Sequence, residues 1–205
     1  MAWVQLGKAA IGALPAPRDP TAIANINYNA AAARLANGPL GVGEEHLDGQ
    51  ARTDVIRLIN AGLVRRLFLE CDDVHQPELQ AALSRDPNAQ DYVSTIAAVV
   101  TRRQPMYDTP VPLGDVARAA MGRPNPIPMH FVDKDVRNRG NWKRITERDE
   151  NAADKFRTIT QPTGTAGCLL LFGAHHFRGA QSVYGTSGRC LGQNLDLEYV
   201  DYGPQ

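Results

Sequence analysis

The stretch Gly41-Val42-Gly43-Glu44-Glu45-His46 sets two carboxylates and an imidazole at the end of a short apolar-tending run. Two other apolar runs close the same way: "LVRRLFLE" in Glu70, and "GCLLLFGAHHF" in His175 and His176. Carboxylates and imidazoles gathered in one partly buried crevice support two chemistries. They can hold a divalent transition metal (manganese, cobalt or zinc) with an open position, so that its bound water becomes a nucleophile near neutral pH. Without metal, a carboxylate whose pKa is raised by its neighbour can activate water while a histidine protonates the leaving group. Both routes are hydrolysis. No local spacing is of the HExxH type, so the pattern alone does not choose between them.

The elements that would bring these groups together are strands of a parallel sheet. Ligands of such a sheet bind outside the carboxyl ends of its strands, so polar clusters at three strand ends converge on one crevice although the chain separates them widely. The two-residue period of a strand places Glu44 and His46 on one side and Glu45 on the other. If the strand through "LLLFGAHH" continues to its end, His175 and His176 face opposite ways; His175 is assigned to the site and His176 to a structural role. The strand expected over "IPMHFVDKD" carries His130 and Asp133 towards the rim of the same crevice. Asp72, Asp73 and His75 read as the cap of a following helix. Arg148 and Asp149, side by side on an expected helix, also fit an ordinary surface ion pair. Gly185 and Gly188 lack the strand and helix context of a phosphate loop, which sets a nucleotide site aside.

With 205 residues the chain suits one domain: an N-terminal arm over 1–38, rich in Ala, Asn and Pro with a short helix at its end, then a single α/β domain over 39–205. Helical patterns follow the first strand at "GQARTDVIRLINAG", capped by Asp48, and recur at "PELQAALSRD", "AQDYVSTIAAVVTRR" and "ITERDENAADKFRTIT". Strands alternating with helices predict a mostly parallel central sheet flanked by helices. Lys plus Arg and Asp plus Glu each total 22, with no basic run or face, so nucleic acid is not an expected partner. Cys71, Cys168 and Cys190 are too few for a disulfide scaffold and form no zinc pair. No stretch has the apolar length of a membrane span, and the N-terminus makes a poor signal peptide. The expected location is cytoplasmic, or secreted by a route without a recognisable signal.

The order "GEEH", then a helix and "LFLE", then "RDENAADKF" on a helix, then "LLLFGAHH", resembles the superfamily that joins erythromycin esterases, ChaN-like haem-uptake proteins, Tiki proteases and the Ras-cleaving endopeptidase domain of bacterial toxins. The likeness spans Pro39 to about Phe177. It implies that fold, and that Glu44, His46, Glu70 and His175 are the catalytic or metal-ligand positions, with Arg148 matching the arginine of a helical "RDxxMA" element in which Ala152 replaces methionine. On that basis Glu70 or Glu44 would be the general base. His175 would be the acid or would stabilise the oxyanion, and His46 would orient the pair or bind metal. Arg148, with His130 and Asp133 at the rim, would hold substrate. The expected substrate is a polypeptide rather than an ester, since a compact domain with an open crevice suits an extended chain. A bacterial toxin or effector protease would use the same chemistry. The alternatives are an erythromycin-esterase-like ester hydrolase and a ChaN-like haem-binding protein, the latter disfavoured by an aromatic content of 6%.

Overall fold

A computed structural model describes residues 20–105, 109–134, 145–178 and 189–202. The loop "VRNRGNW" and the glycine-rich segment with Gly185 and Gly188 lie outside the described residues, as do residues 1–19. Five strands, β1 (Leu40–Glu44), β2 (Arg66–Asp72), β3 (Met129–Asp133), β4 (Cys168–Gly173) and β5 (Tyr199–Asp201), form one sheet in the order β3-β2-β4-β1-β5. Every pairing is parallel. The α/β class with helices flanking the sheet therefore holds. The strands read as near-continuous apolar runs because a parallel sheet is covered on both faces.

The eight helices of the described residues are α1 (Pro20–Leu35), α2 (Gln50–Asn60), α3 (Gln76–Leu83), α4 (Tyr92–Arg103), α5 (Leu113–Met121), α6 (Ile145–Thr160), α7 (His175–Arg178) and α8 (Leu191–Leu195). The crossovers from β1 to β2 and from β2 to β3 step one way across the sheet; those from β3 to β4 and from β4 to β5 step back. Crossovers of one hand must then put the first set of helices on one face and the second on the other. Two cores result. Leu40, Val42, Leu67, Leu69, Phe131 and Leu171 pack beneath α2 and α5, joined by Ala31 and Leu35 of α1. On the opposite face Phe68, Val132, Leu170 and Phe172 pack beneath Ala152 and Phe156 of α6 and Phe177 of α7.

This layout explains the glycines of the opening motif. Gly41 lies on the α7 face, where a Cβ would stand 2.4 Å from the Phe177 ring. Leu40, Val42 and Glu44 alternate to the other face. The helix after β1 starts one residue later than expected: Gly49, at φ 73°, occupies the cap position in place of Asp48 and no side chain caps the helix. The segment "LGDVARAAM", for which no helix is expected above, is the helix α5. The N-terminal arm contributes a helix of 16 residues that packs on α2, β1 and β5. All three cysteines are free and buried. Among the described residues, no helix is long and apolar enough to cross a membrane.

Candidate functional site

β1 and β4 are neighbours, yet the chain leaves β1 towards α2 on one face and leaves β4 towards α7 on the other. Such a divergence opens a crevice at the carboxyl edge of a parallel sheet. The two strand ends are tied there by the Ala174 amide, which donates to the Glu44 carbonyl at 3.0 Å.

Glu44, the last residue of β1, continues the Leu40 and Val42 side and points beneath α2. Arg52 of α2 meets it there with two bonds, Nε to Oε2 and Nη2 to Oε1, both 2.7 Å. His46, two residues on, places Nδ1 2.7 Å from Glu44 Oε1. Its ring then directs Nε2 to 3.7 Å from Glu70 Oε2. Glu70 continues the Phe68 side of β2 and faces α6 and α7. Its Oε2 accepts from the Gly173 amide at 2.6 Å, and its Oε1 accepts from Arg148 Nη2 at 2.8 Å and from His176 Nε2 at 3.2 Å. His176 Nδ1 in turn meets Asp149, and Arg148 is gripped by Asp133 through Nε, at 2.8 Å, and through Nη2. Gly173 is required by this crowding, since a Cβ on it would stand 3.1 Å from His46 Nε2 and 3.4 Å from Glu70 Oε2.

Four carboxylates (Glu44, Glu70, Asp133, Asp149) thus share two guanidiniums and two imidazoles. Burial pushes the Glu44 carboxyl up, but Arg52 and His46 outweigh it and hold it below the ordinary value of 4.5. Glu70 is likewise raised by burial and pulled down further by His176, Arg148 and His46, ending well below 4.5. Burial lowers His176, while Glu70 and Asp149 more than reverse that and lift it to about 10, so it is a buried imidazolium. Burial pushes Asp149 upward against the pull of His176. His46 is lowered by burial and raised by Glu44 and Glu70, with a net rise from 6.5. It is also the most solvent-exposed ionisable group of this set, its side chain 22% exposed against 13% for Arg148, 12% for Asp133 and 6% or less for Glu44, Glu70 and His176.

The structure therefore brings Glu44, His46, Glu70, Arg148 and Asp133 together, and it places His175, His130 and the Arg148–Asp149 pair elsewhere than expected. His175 is exposed, and His176 occupies the place against Glu70. The alternation used for the assignment fails because the strand ends at Gly173 and His175 opens a helix, which turns His176 and Phe177 inward. His130 pairs in register with Phe68, two residues short of Glu70, and stacks on the Phe68 ring at 5.2 Å, away from the carboxyl edge. Burial, with Arg66 nearby, drops it to about 4, so it is neutral and packed. Arg148 and Asp149 are not a surface pair: Asp149 shares a buried helix face with Ala152, Ala153 and Phe156. That 3.6-residue pattern was available in the sequence. Arg52 was missed as well, a cation in the apolar stripe of α2. Asp72 does cap the short 3-10 helix after β2, accepting from the Val74 amide at 3.1 Å.

The metal alternative does not fit the donor set. Both oxygens of Glu44 and Oε1 of Glu70 already accept from arginine, Glu70 Oε2 from the Gly173 amide, and His46 Nδ1 is taken by Glu44, which leaves His46 Nε2 facing Glu70 Oε2 without a third ligand among the described residues. Among the described residues no group of three or more His, Cys, Asp or Glu side chains is arranged to hold a metal ion. Comparison with protein-family models, with curated proteins and with solved structures found no match.

Proposed function

We propose that the protein is a hydrolase of peptide bonds in which His46 transfers the proton. The observation that carries this reading is the placement of one partly exposed imidazole between two buried, ionised carboxylates at the carboxyl edge of the sheet. Neutral His46 donates Nδ1–H to Glu44, which leaves the Nε2 lone pair as the base. It takes a proton from water as the water oxygen bonds to the substrate carbonyl carbon. Glu44 and Glu70 stabilise the imidazolium, which then returns its proton to the leaving amine as the C–N bond breaks. Neither glutamate is the base, because carboxylates held below 4.5, and Glu70 well below it, have little proton affinity near neutral pH. Arg148, bonded to Glu70 and Asp133, organises the site rather than holding substrate.

A polypeptide substrate is favoured by the rim. Leu47 and Val74, the exposed large hydrophobic residues among those described, are 53% and 59% exposed. Leu47 follows His46 in the turn after β1, and Val74 lies in the short 3-10 helix that follows β2, so each offers an apolar side chain beyond the carboxyl end of a strand that carries a site residue. The reading keeps the erythromycin esterase, ChaN and Tiki resemblance as its family expectation, now with His176 in place of His175.

The test is digestion of a complex peptide mixture by the purified protein, with cut sites read by mass spectrometry and the His46→Gln variant as background. Cuts made by the wild type alone, with aliphatic residues enriched beside the scissile bond, are the expected result. Identical cuts in both samples, or none in the wild type, would overturn the reading.

A further inference from the structure

Arg52 is wholly buried, although the buried face of α2 is otherwise supplied, apart from Asp54, by Ala51, Val55, Leu58 and Ile59. An apolar residue would be the cheaper occupant, since burying a charge carries a desolvation cost that its partner must offset. Here the partner is Glu44, gripped on both oxygens in the parallel two-bond geometry that fixes a carboxylate's plane as well as its position. The guanidinium is itself held from behind. Its Nη1 donates to the Val111 carbonyl at 2.9 Å, with Gln104 Oε1 at 3.3 Å and Thr109 Oγ1 at 3.4 Å. Gln104 Oε1 also accepts from the Leu113 amide at 2.9 Å, which fastens this anchor to the first residue of α5.

We infer that Arg52 is a positioning residue: it fixes the charged Glu44 carboxylate in one orientation, so that Glu44 Oε1 keeps the His46 proton on Nδ1 and turns Nε2 towards Glu70. A carboxylate paired with histidine alone could rotate about its last bond and offer either oxygen to the ring. With both oxygens tied to one fork, only the arrangement seen is open to it. The inference rests on His46 being the group that transfers the proton, and it names what sets that group's tautomer.

The groups that face His46 are Glu44 from β1, Glu70 from β2, Arg52 from α2 and the Gly173 backbone from β4, with Arg148 of α6 and His176 of α7 acting through Glu70. The test reads the ring directly, as the midpoint and tautomer of His46 from long-range proton–nitrogen correlation spectra of the labelled protein across pH. In the wild type His46 is expected as the Nδ1–H tautomer when neutral. Arg52→Gln removes the cation that holds Glu44 ionised and the fork that orients it, so burial shifts Glu44 towards its protonated form and the Nε2–H tautomer of His46 appears. Arg52→Lys keeps a buried cation but loses the fork; the midpoint stays within the wild-type range while the tautomers mix. It carries the test if the glutamine variant does not fold. A single Nδ1–H tautomer in either folded variant would overturn the inference. The measurement needs no substrate, so its failure is separate from failure of the peptide digestion.

Discussion

His46 Nε2 stands 3.7 Å from Glu70 Oε2, beyond hydrogen-bonding range, while the opposite ring nitrogen is bonded to Glu44 at 2.7 Å. The imidazole is anchored at one end only. Glu70 is close enough to stabilise a charge on the ring without occupying the nitrogen that would do chemistry. Because both neighbours raise His46 above 6.5, the neutral base is the minor form in mildly acidic solution. The rate of peptide cleavage should therefore rise with pH through a midpoint above 6.5, and replacing Glu70 by Gln should move that midpoint down. A pH series of initial rates for the two proteins checks both statements.

The two adjacent histidines should separate cleanly. His176 is the buried partner of Glu70 and Asp149, so His176→Ala removes the cation that the buried Asp149 carboxylate meets and one of the two that Glu70 shares, and should cost about 3–5 kcal/mol along with activity. His175 is exposed, and His175→Ala should change stability by no more than about 0.5 kcal/mol and leave turnover near the wild-type value. Urea unfolding of both variants beside a cleavage assay distinguishes them.

Gly173→Ala introduces a methyl group 3.1 Å from His46 Nε2. The imidazole is the softer neighbour and should swing away, because Glu70 is held by three donors and the partly exposed ring by one acceptor. A displacement of that order at the reacting atom should lower kcat on the order of 100-fold. Thermal unfolding should shift little by comparison, which differential scanning calorimetry would show.

The buried charges also set the pH range of stability. Glu44 and Glu70, depressed below 4.5, contribute stability that is fully present above 4.5 and lost as pH falls through their lower folded values. His176, raised from 6.5 to about 10, contributes stability that is full below 6.5 and lost as pH rises through about 10. Asp149, pushed up by burial, has the opposite sign on the acid side and softens that loss. His130, dropped from 6.5 to about 4, adds stability that grows as pH rises through that interval, so the unfolding temperature should be highest near 6.5 and decline steadily on the alkaline side. In His176→Gln the alkaline decline should shrink to the part that His46 contributes.

How much of this was legible depends on where each residue sits. Glu44, His46 and Glu70 could be read because an apolar run in a parallel sheet ends where the sheet ends, and polar residues just beyond it share one edge. His176 could not be read by that rule, since Ala174 lies past the last strand residue and the next turn is helical. His130 was placed at the rim from proximity to Asp133, but β3 runs three more residues after it before the edge. Arg52 and Asp149 come from helices on opposite faces, and only the crossover directions reveal that both reach the same edge. A charged residue within an apolar helical stripe was the available signal for each.

The most direct measurement is the kcat/KM of His46→Gln on the best peptide found for the wild type, with the unfolding temperature of both proteins taken alongside. The account predicts a loss of about 10²–10⁴-fold at unchanged unfolding temperature, the range for removal of a general acid–base group. A folded His46→Gln that cleaves within about twofold of the wild-type rate would contradict it, because nothing else in the site would then be doing what His46 is assigned to do.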